Sequence, residues 1–258
     1  MEILFLIGAL AVVCGFLSGL LGIGGGIIMA PLLLFIPPLF GFEPLPMRTV
    51  AGLTIVQGLM ACVFGALAHN KFNFVSGKLT VWMGGVIFVA ALVGGVGANY
   101  ISNQVLLLIF AILSLTASAL IFCKQRKDEE RPDVSILDFS RWRAISIAGG
   151  VGLLGGLVGQ GGSFILIPLM TSFVKIPTRI ALGSNLAIVL LATGAALIGK
   201  GATGQIEWLL ALPIVVTVIP SAYLGGHISQ KVPVLILRRV LAIVIAMAAM
   251  RIWYDLLC

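Results

Sequence analysis

The sequence predicts an all-α polytopic membrane protein made of two inverted-topology repeats, each a glycine-broken helix hairpin followed by three transmembrane helices. Three observations lead there. Of the 258 residues, 60% are hydrophobic and only 10% charged, where soluble domains run at roughly 45–50% and about 25%. Mean hydropathy is +1.18, more apolar surface than a soluble core of this size can hide, so the solvent for this chain is lipid. Third, the sequence on one side of its long polar segment repeats the sequence on the other.

Eight apolar runs follow one another, at 2–36, 46–68, 79–100, 103–123, 144–174, 177–198, 206–226 and 232–254. A single crossing needs about 20 residues, so the first and fifth runs are too long for one helix, and glycines interrupt both. The N-terminus carries Glu2 and no basic residue before its apolar run, which reads as a first membrane helix and not as a signal peptide. The one long polar stretch, 124–143, reads as a charged cytoplasmic linker between an N-terminal repeat (1–123) and a C-terminal repeat (144–258).

The repeat is carried by three blocks in the same order. At an offset of 137, Gly15, Gly19, Gly22, Gly24, Gly25 and Pro31 fall on Gly152, Gly156, Gly159, Gly161, Gly162 and Pro168. At an offset of 131, "PMRTVAGLT" (46–54) falls on "PTRIALGSN" (177–185), so that Pro46, Arg48 and Gly52 meet Pro177, Arg179 and Gly183. Finally "ISNQ" at 101–104 matches "ISQK" at 228–231.

Charge decides how the repeats are oriented. Four simple crossings per half place ten of the sixteen Lys/Arg on the linker side, whereas a hairpin plus three crossings places thirteen there and leaves Arg48, Lys200 and Arg251 outside. The second arrangement obeys the positive-inside rule better. It makes the halves inverted and puts both termini outside. The net charge of +7 is spread in this manner and does not form a nucleic-acid patch.

"GIGGG" (22–26) and "GQGGS" (159–163) break strongly apolar helices. Unpaired backbone amides at membrane depth are tolerated only against protein, water or a ligand. A helix restarting near Ile27 or Phe164 would present free N–H groups at its positive end, which suits an anion. Transporters built of inverted repeats hold their substrates at such points. Consecutive glycines each cost a helix about 1 kcal/mol; packing alone does not require them. Gly24, Gly25, Gly26, Gly161, Gly162 and Ser163 are therefore read as substrate-binding, while Gly15, Gly19, Gly152 and Gly156 are read as helix-packing residues.

Polar side chains within the runs are few: Thr54, Gln57, Gln160, Ser163, Ser184 and Asn185. Interhelical hydrogen bonds explain any one of them, but their clustering in the duplicated blocks assigns them to a shared site. Arg48 and Arg179 each follow a helix-starting proline; they read as interfacial anchors, or as cations drawing anions into a vestibule. His69 and His227 lie at helix ends, where either could carry a proton. All nine Asp/Glu lie at termini, in loops or at run edges, so the usual acidic relay for protons or sodium is missing from the spans. "GAALIGKG" from Gly194 falls short of a phosphate-binding loop, with Gly201 where Ser or Thr must hold magnesium. Cys14, Cys62, Cys123 and Cys258 are far apart and read as packing residues. No metal or cofactor is expected.

With these residues in view, the chain resembles the sulfite exporter TauE/SafE family of membrane permeases. The resemblance rests on "GLLGIGGGIIMAPLL" and "GLVGQGGSFILIPLM", on "RTVAGLT" and "RIALGSN", and on the four-plus-four organisation around a charged linker. It covers the whole chain. It implies movement of sulfite or small organosulfonates across a prokaryotic cell membrane, by a secondary transporter with a small anionic substrate and the bilayer as its surroundings. The first half has Leu53 and Thr54 where the family pattern has a small polar pair, which shifts polar coordination toward Ser184 and Asn185. The alternatives are an uptake permease for another small anion, a structural scaffold, and a polytopic membrane enzyme. The last would need converging nucleophiles, bases or metal ligands within the spans.

Overall fold

The computed structural model describes residues 2–21, 24, 26–69, 76–122, 139–160 and 162–229, with scattered positions between 232 and 253. Most of the eighth apolar run, most of the linker, and Gly25 and Gly161 lie outside the described residues. Within them the chain is helical and has no strand: α1 (Glu2–Leu21), α2 (Gly26–Leu39), α3 (Met47–His69), α4 (Gly77–Gly97), α5 (Asn103–Phe122), α6 (Arg141–Val158), α7 (Ser163–Leu169), α8 (Thr178–Ala202) and α9 (Trp208–Ser229).

Five of these helices include stretches long and apolar enough to cross a membrane: Glu2–Leu21, Met47–Gly65, Gly77–Tyr100, Gly183–Ala202 and Trp208–Ser229. Large apolar side chains remain exposed along them, among them Phe5, Val81, Val93, Leu212 and Val216. Water would penalise such a surface; acyl chains do not.

Both over-long runs split where the glycines stand. The first becomes α1 and α2, the fifth α6 and α7. Pro31 and Pro168, equivalent in the repeat, lie inside the two short returning helices. Beside Pro168 the helix widens into a π-helical turn, Met170–Val174, as happens where a proline disturbs the regular ladder.

The halves are interleaved. α1 packs on α9, α6 packs on α4, and α3 packs on α8. Each half thus lends its first helix to a helix of the other half. Small residues make these contacts close: a Cβ on Gly19 would run into the Ala222 carbonyl, and one on Gly156 into that of Ala91. The register shows direction. Gly8, Gly15 and Gly19 face Pro213, Val218 and Ala222 in turn, so α1 and α9 run parallel. Gly149, Gly152 and Gly156 face Val86, Ile87 and Ala91, so α6 and α4 do too, and Gly84 and Gly95 against Leu191 and Ala196 give the same for α4 and α8.

Candidate functional site

The two glycine breaks meet. A Cβ on Gly26 would lie 2.8 Å from Gln160 Cγ, and one on Gly24 would lie 3.3 Å from Ser163 Oγ and equally close to Cys62 Sγ. The first break therefore rests directly on the second, with α3 along both. Gly24 (φ +67°) and Gly162 (φ +70°) hold left-handed backbone, which glycine adopts without the steric cost a side chain incurs. Gly162 is the N-cap of α7, and its carbonyl accepts the Leu166 N–H at 3.0 Å.

α3 supplies the polar face. Thr54 Oγ1 donates to the Gly159 carbonyl at 2.8 Å and to that of Ala51 at 3.1 Å, tying the second break to α3. Gly58, one turn on, lets the Gly24 carbonyl approach to 3.3 Å of where its Cβ would stand. Between them on α3 stands Gln57, fully buried, with neither its amide nitrogen nor its oxygen hydrogen-bonded; Gln160, 2% exposed, is in the same condition. A buried amide without partners costs roughly 1–3 kcal/mol for each unsatisfied group, so one at the second break and one on the helix along both breaks need a cause.

Thus Gly24, Gly26, Thr54, Gln160, Gly162 and Ser163 come together, and Gln57 lies on the helix that runs along both breaks. Ser163 Oγ reaches the Gln160 carbonyl at 3.4 Å. Asn185 is buried in α8. Ser184 is engaged elsewhere, its Oγ accepting the N–H of Ser76, the N-cap of α4, at 3.0 Å. Arg48 braces the turn after α4, donating from Nη2 to the carbonyls of Asn99 and Ile101 at 3.2 and 3.1 Å, while its own backbone N–H meets Asn103 Oδ1. Arg179 is in the first turn of α8, and its side chain lies outside the described residues.

Lys200 lies past the end of the sixth apolar run at 198, yet α8 extends through Ala202 and buries it completely. Its Nζ donates to the Leu157 carbonyl and to Gln205 Oε1, each at 3.2 Å. A lysine at the end of an apolar run reads as an interfacial anchor. The signal that could have found it is the small-residue continuation through Gly199, Gly201 and Ala202, which lets α8 pack closely past its charge. The near match to a phosphate-binding loop is plain helix here, as the motif's own departures imply.

Comparison with known proteins agrees with this architecture. The model of the family "Sulfite exporter TauE/SafE" matches residues 7–252. The chain is 24% identical over 242 residues to the probable membrane transporter protein YunE of Bacillus subtilis, covering 86% of each chain. It is 28% identical over 255 residues to a probable membrane transporter protein of Xylella fastidiosa, covering 93% of this chain and 91% of that one. A relative in Methanocaldococcus jannaschii, likewise named a probable membrane transporter protein, is 26% identical over 245 residues, covering 90% of this chain and 89% of that one. No solved structure matches. With broken helices, lipid-facing spans and a match along nearly its whole length, the chain belongs to the sulfite exporter TauE/SafE family of membrane transporters.

Proposed function

We propose that this transporter moves sulfite or a related small sulfur oxyanion or organosulfonate, as an exporter working by alternating access, and that the substrate binds between the two glycine breaks. The observation that carries the reading is the pair of buried, unpartnered amides, Gln160 where the breaks touch and Gln57 on the helix that runs along both. An oxyanion satisfies their N–H donors, beside the positive N-terminal ends of α2 and α7 at Gly26 and Gly162, with segments 24–26 and 161–163 as its proposed lining. Thr54, its hydroxyl proton committed to the Gly159 and Ala51 carbonyls, and Asn185 complete the lining. Ser184 is set toward the start of α4, where its Oγ accepts the Ser76 N–H. A membrane enzyme is the weaker reading, because the relatives are named probable membrane transporter proteins.

The helix directions support inverted halves. α6 and α8 both run with α4. Only 203–207 join α8 to α9, and five residues reach at most about 18 Å, too short to recross about 30 Å of hydrocarbon. α9 therefore runs back against α8. Since α1 runs with α9, it runs opposite to α6, its repeat equivalent. Together with the positive-inside rule this supports termini outside and the 124–143 linker in the cytoplasm.

The test is flux of labelled sulfite in proteoliposomes. Gln57→Leu and Gln160→Leu should each weaken sulfite binding by about 1.5–3 kcal/mol, the range for a hydrogen bond to a charged group, with both proteins folded. Undiminished flux in both variants, or binding of an organic amine with sulfite, sulfate and taurine-like sulfonates all silent, refutes the assignment.

A further inference from the structure

Among the described residues Lys200 is the only charged side chain that is fully buried. Its two hydrogen bonds, to the Leu157 carbonyl and Gln205 Oε1, leave one N–H without a partner, and no carboxylate pairs with it among those residues. Gln205 is held with its oxygen toward the ammonium, because its Nε2 donates to the Gly95 carbonyl at 3.1 Å and to Thr203 Oγ1. The Leu157 carbonyl belongs to the negative end of α6, which offsets part of a charge but not the whole. An ammonium taken out of water without a counter-charge is penalised by several kcal/mol. Its place in the fold matters as well. Leu157 stands two residues before Gly159, whose carbonyl takes the Thr54 hydroxyl, and a Cβ on Gly52 would strike the Gln205 carbonyl. Lys200 therefore lies beside the second break, on the Arg48 side of it. At the repeat offset of 131, Lys200 corresponds to His69, the last residue of α3, so each half has a basic residue at this register.

We propose that the Lys200 ammonium supplies the counter-charge for the transported anion, taking it up with its unpartnered N–H as the anion passes between the Arg48 end of α3 and the glycine breaks. This rests on the oxyanion reading above. The competing view makes Lys200 a structural pin joining the ends of α6 and α8.

Gln205→Glu separates the two. It puts a carboxylate where Oε1 already meets Nζ at 3.2 Å: a structural pin is kept or strengthened, whereas a counter-charge for substrate is neutralised from within. Titration calorimetry with sulfite, and separately with methanesulfonate, on the purified full chain should show affinity down by about tenfold or more in Gln205→Glu and in Lys200→Met. Gln205→Met, which removes the hydrogen bond but keeps the charge, should stay within about threefold. If Lys200→Met fails to fold, Gln205→Glu decides, its melting temperature reporting that the fold is intact. Wild-type protein that takes up neither anion overturns the oxyanion reading itself. Wild-type protein that binds, with Gln205→Glu binding equally well, overturns the role of Lys200 alone.

Discussion

Gly162→Ala isolates what the second break requires of its backbone. At φ +70° a side chain meets the left-handed penalty, about 1–2 kcal/mol. In addition, a Cβ there would collide with Val151 Cγ1 and stand 2.8 Å from the Val151 carbonyl oxygen. Backbone cannot swing aside as a side-chain tip can, so overpacking adds about 1–3 kcal/mol. The expected total is about 2–5 kcal/mol, or a melting temperature lower by about 5–15 °C for a chain of this size. Gly41 is the internal control: it has φ +82° but open space around it, so Gly41→Ala incurs the dihedral penalty alone, about 2–6 °C. Both variants are to be melted in detergent and assayed for flux in proteoliposomes. Gly162→Ala should also lose sulfite transport, since the start of α7 can no longer approach the first break, while Gly41→Ala retains it. Equal melting temperatures for the two variants would show that the contact with Val151 is not close, and normal flux in Gly162→Ala would place the anion elsewhere.

Gly19→Ala should reduce stability by about 1–3 kcal/mol by forcing α1 off the Ala222 carbonyl, with transport per folded molecule little changed; thermal melting beside flux checks both. Thr54→Val keeps the shape but takes away the donor to the Gly159 carbonyl, and a loss of about 1–3 kcal/mol is expected from leaving that buried group unpaired, read as a lower melting temperature. Ser135→Cys, in the linker, should resist a membrane-impermeant thiol reagent in intact cells and react in inside-out vesicles; labelling from outside refutes the topology. With carboxylates missing from the spans, a co-transported proton would ride on the substrate or on a histidine; the first case predicts that His69→Ala combined with His227→Ala retains proton-coupled sulfite flux, and its loss would assign the proton to a histidine side chain.

The helical architecture was legible because it depends on short-range chemistry. Apolar run lengths mark the spans, and consecutive glycines mark the breaks whose two arms appear as α1 with α2 and α6 with α7. The meeting of Gly26 with Gln160 joins the two segments that the sequence marks as repeats of each other. What Ser184 does was not legible. Its bond to Ser76 crosses 108 residues of sequence, and no local pattern distinguishes a serine that caps a distant helix from one that faces a substrate. Lys200 escapes sequence reasoning for a related reason. Hydropathy stops counting a helix at its first charge, yet α8 carries that charge inward where Gly199 admits the Val96 amide and the Leu92 carbonyl, each 3.0 Å from where its Cβ would stand.

The pairing of α1 with α9 bears on how the protein is made. The two pack together, and 186 positions separate the end of α1 at Leu21 from the start of α9 at Trp208, counting residues 22 to 207. At a synthesis rate of about 5–20 residues per second, α1 waits roughly 10–40 s in the bilayer before its partner emerges from the ribosome. During that interval its small-residue face, Gly8, Gly15 and Gly19, lacks the helix against which it finally packs. Neither half can complete its packing before the other exists, so cutting the gene at the linker should give two fragments that are degraded when expressed singly and persist when expressed together.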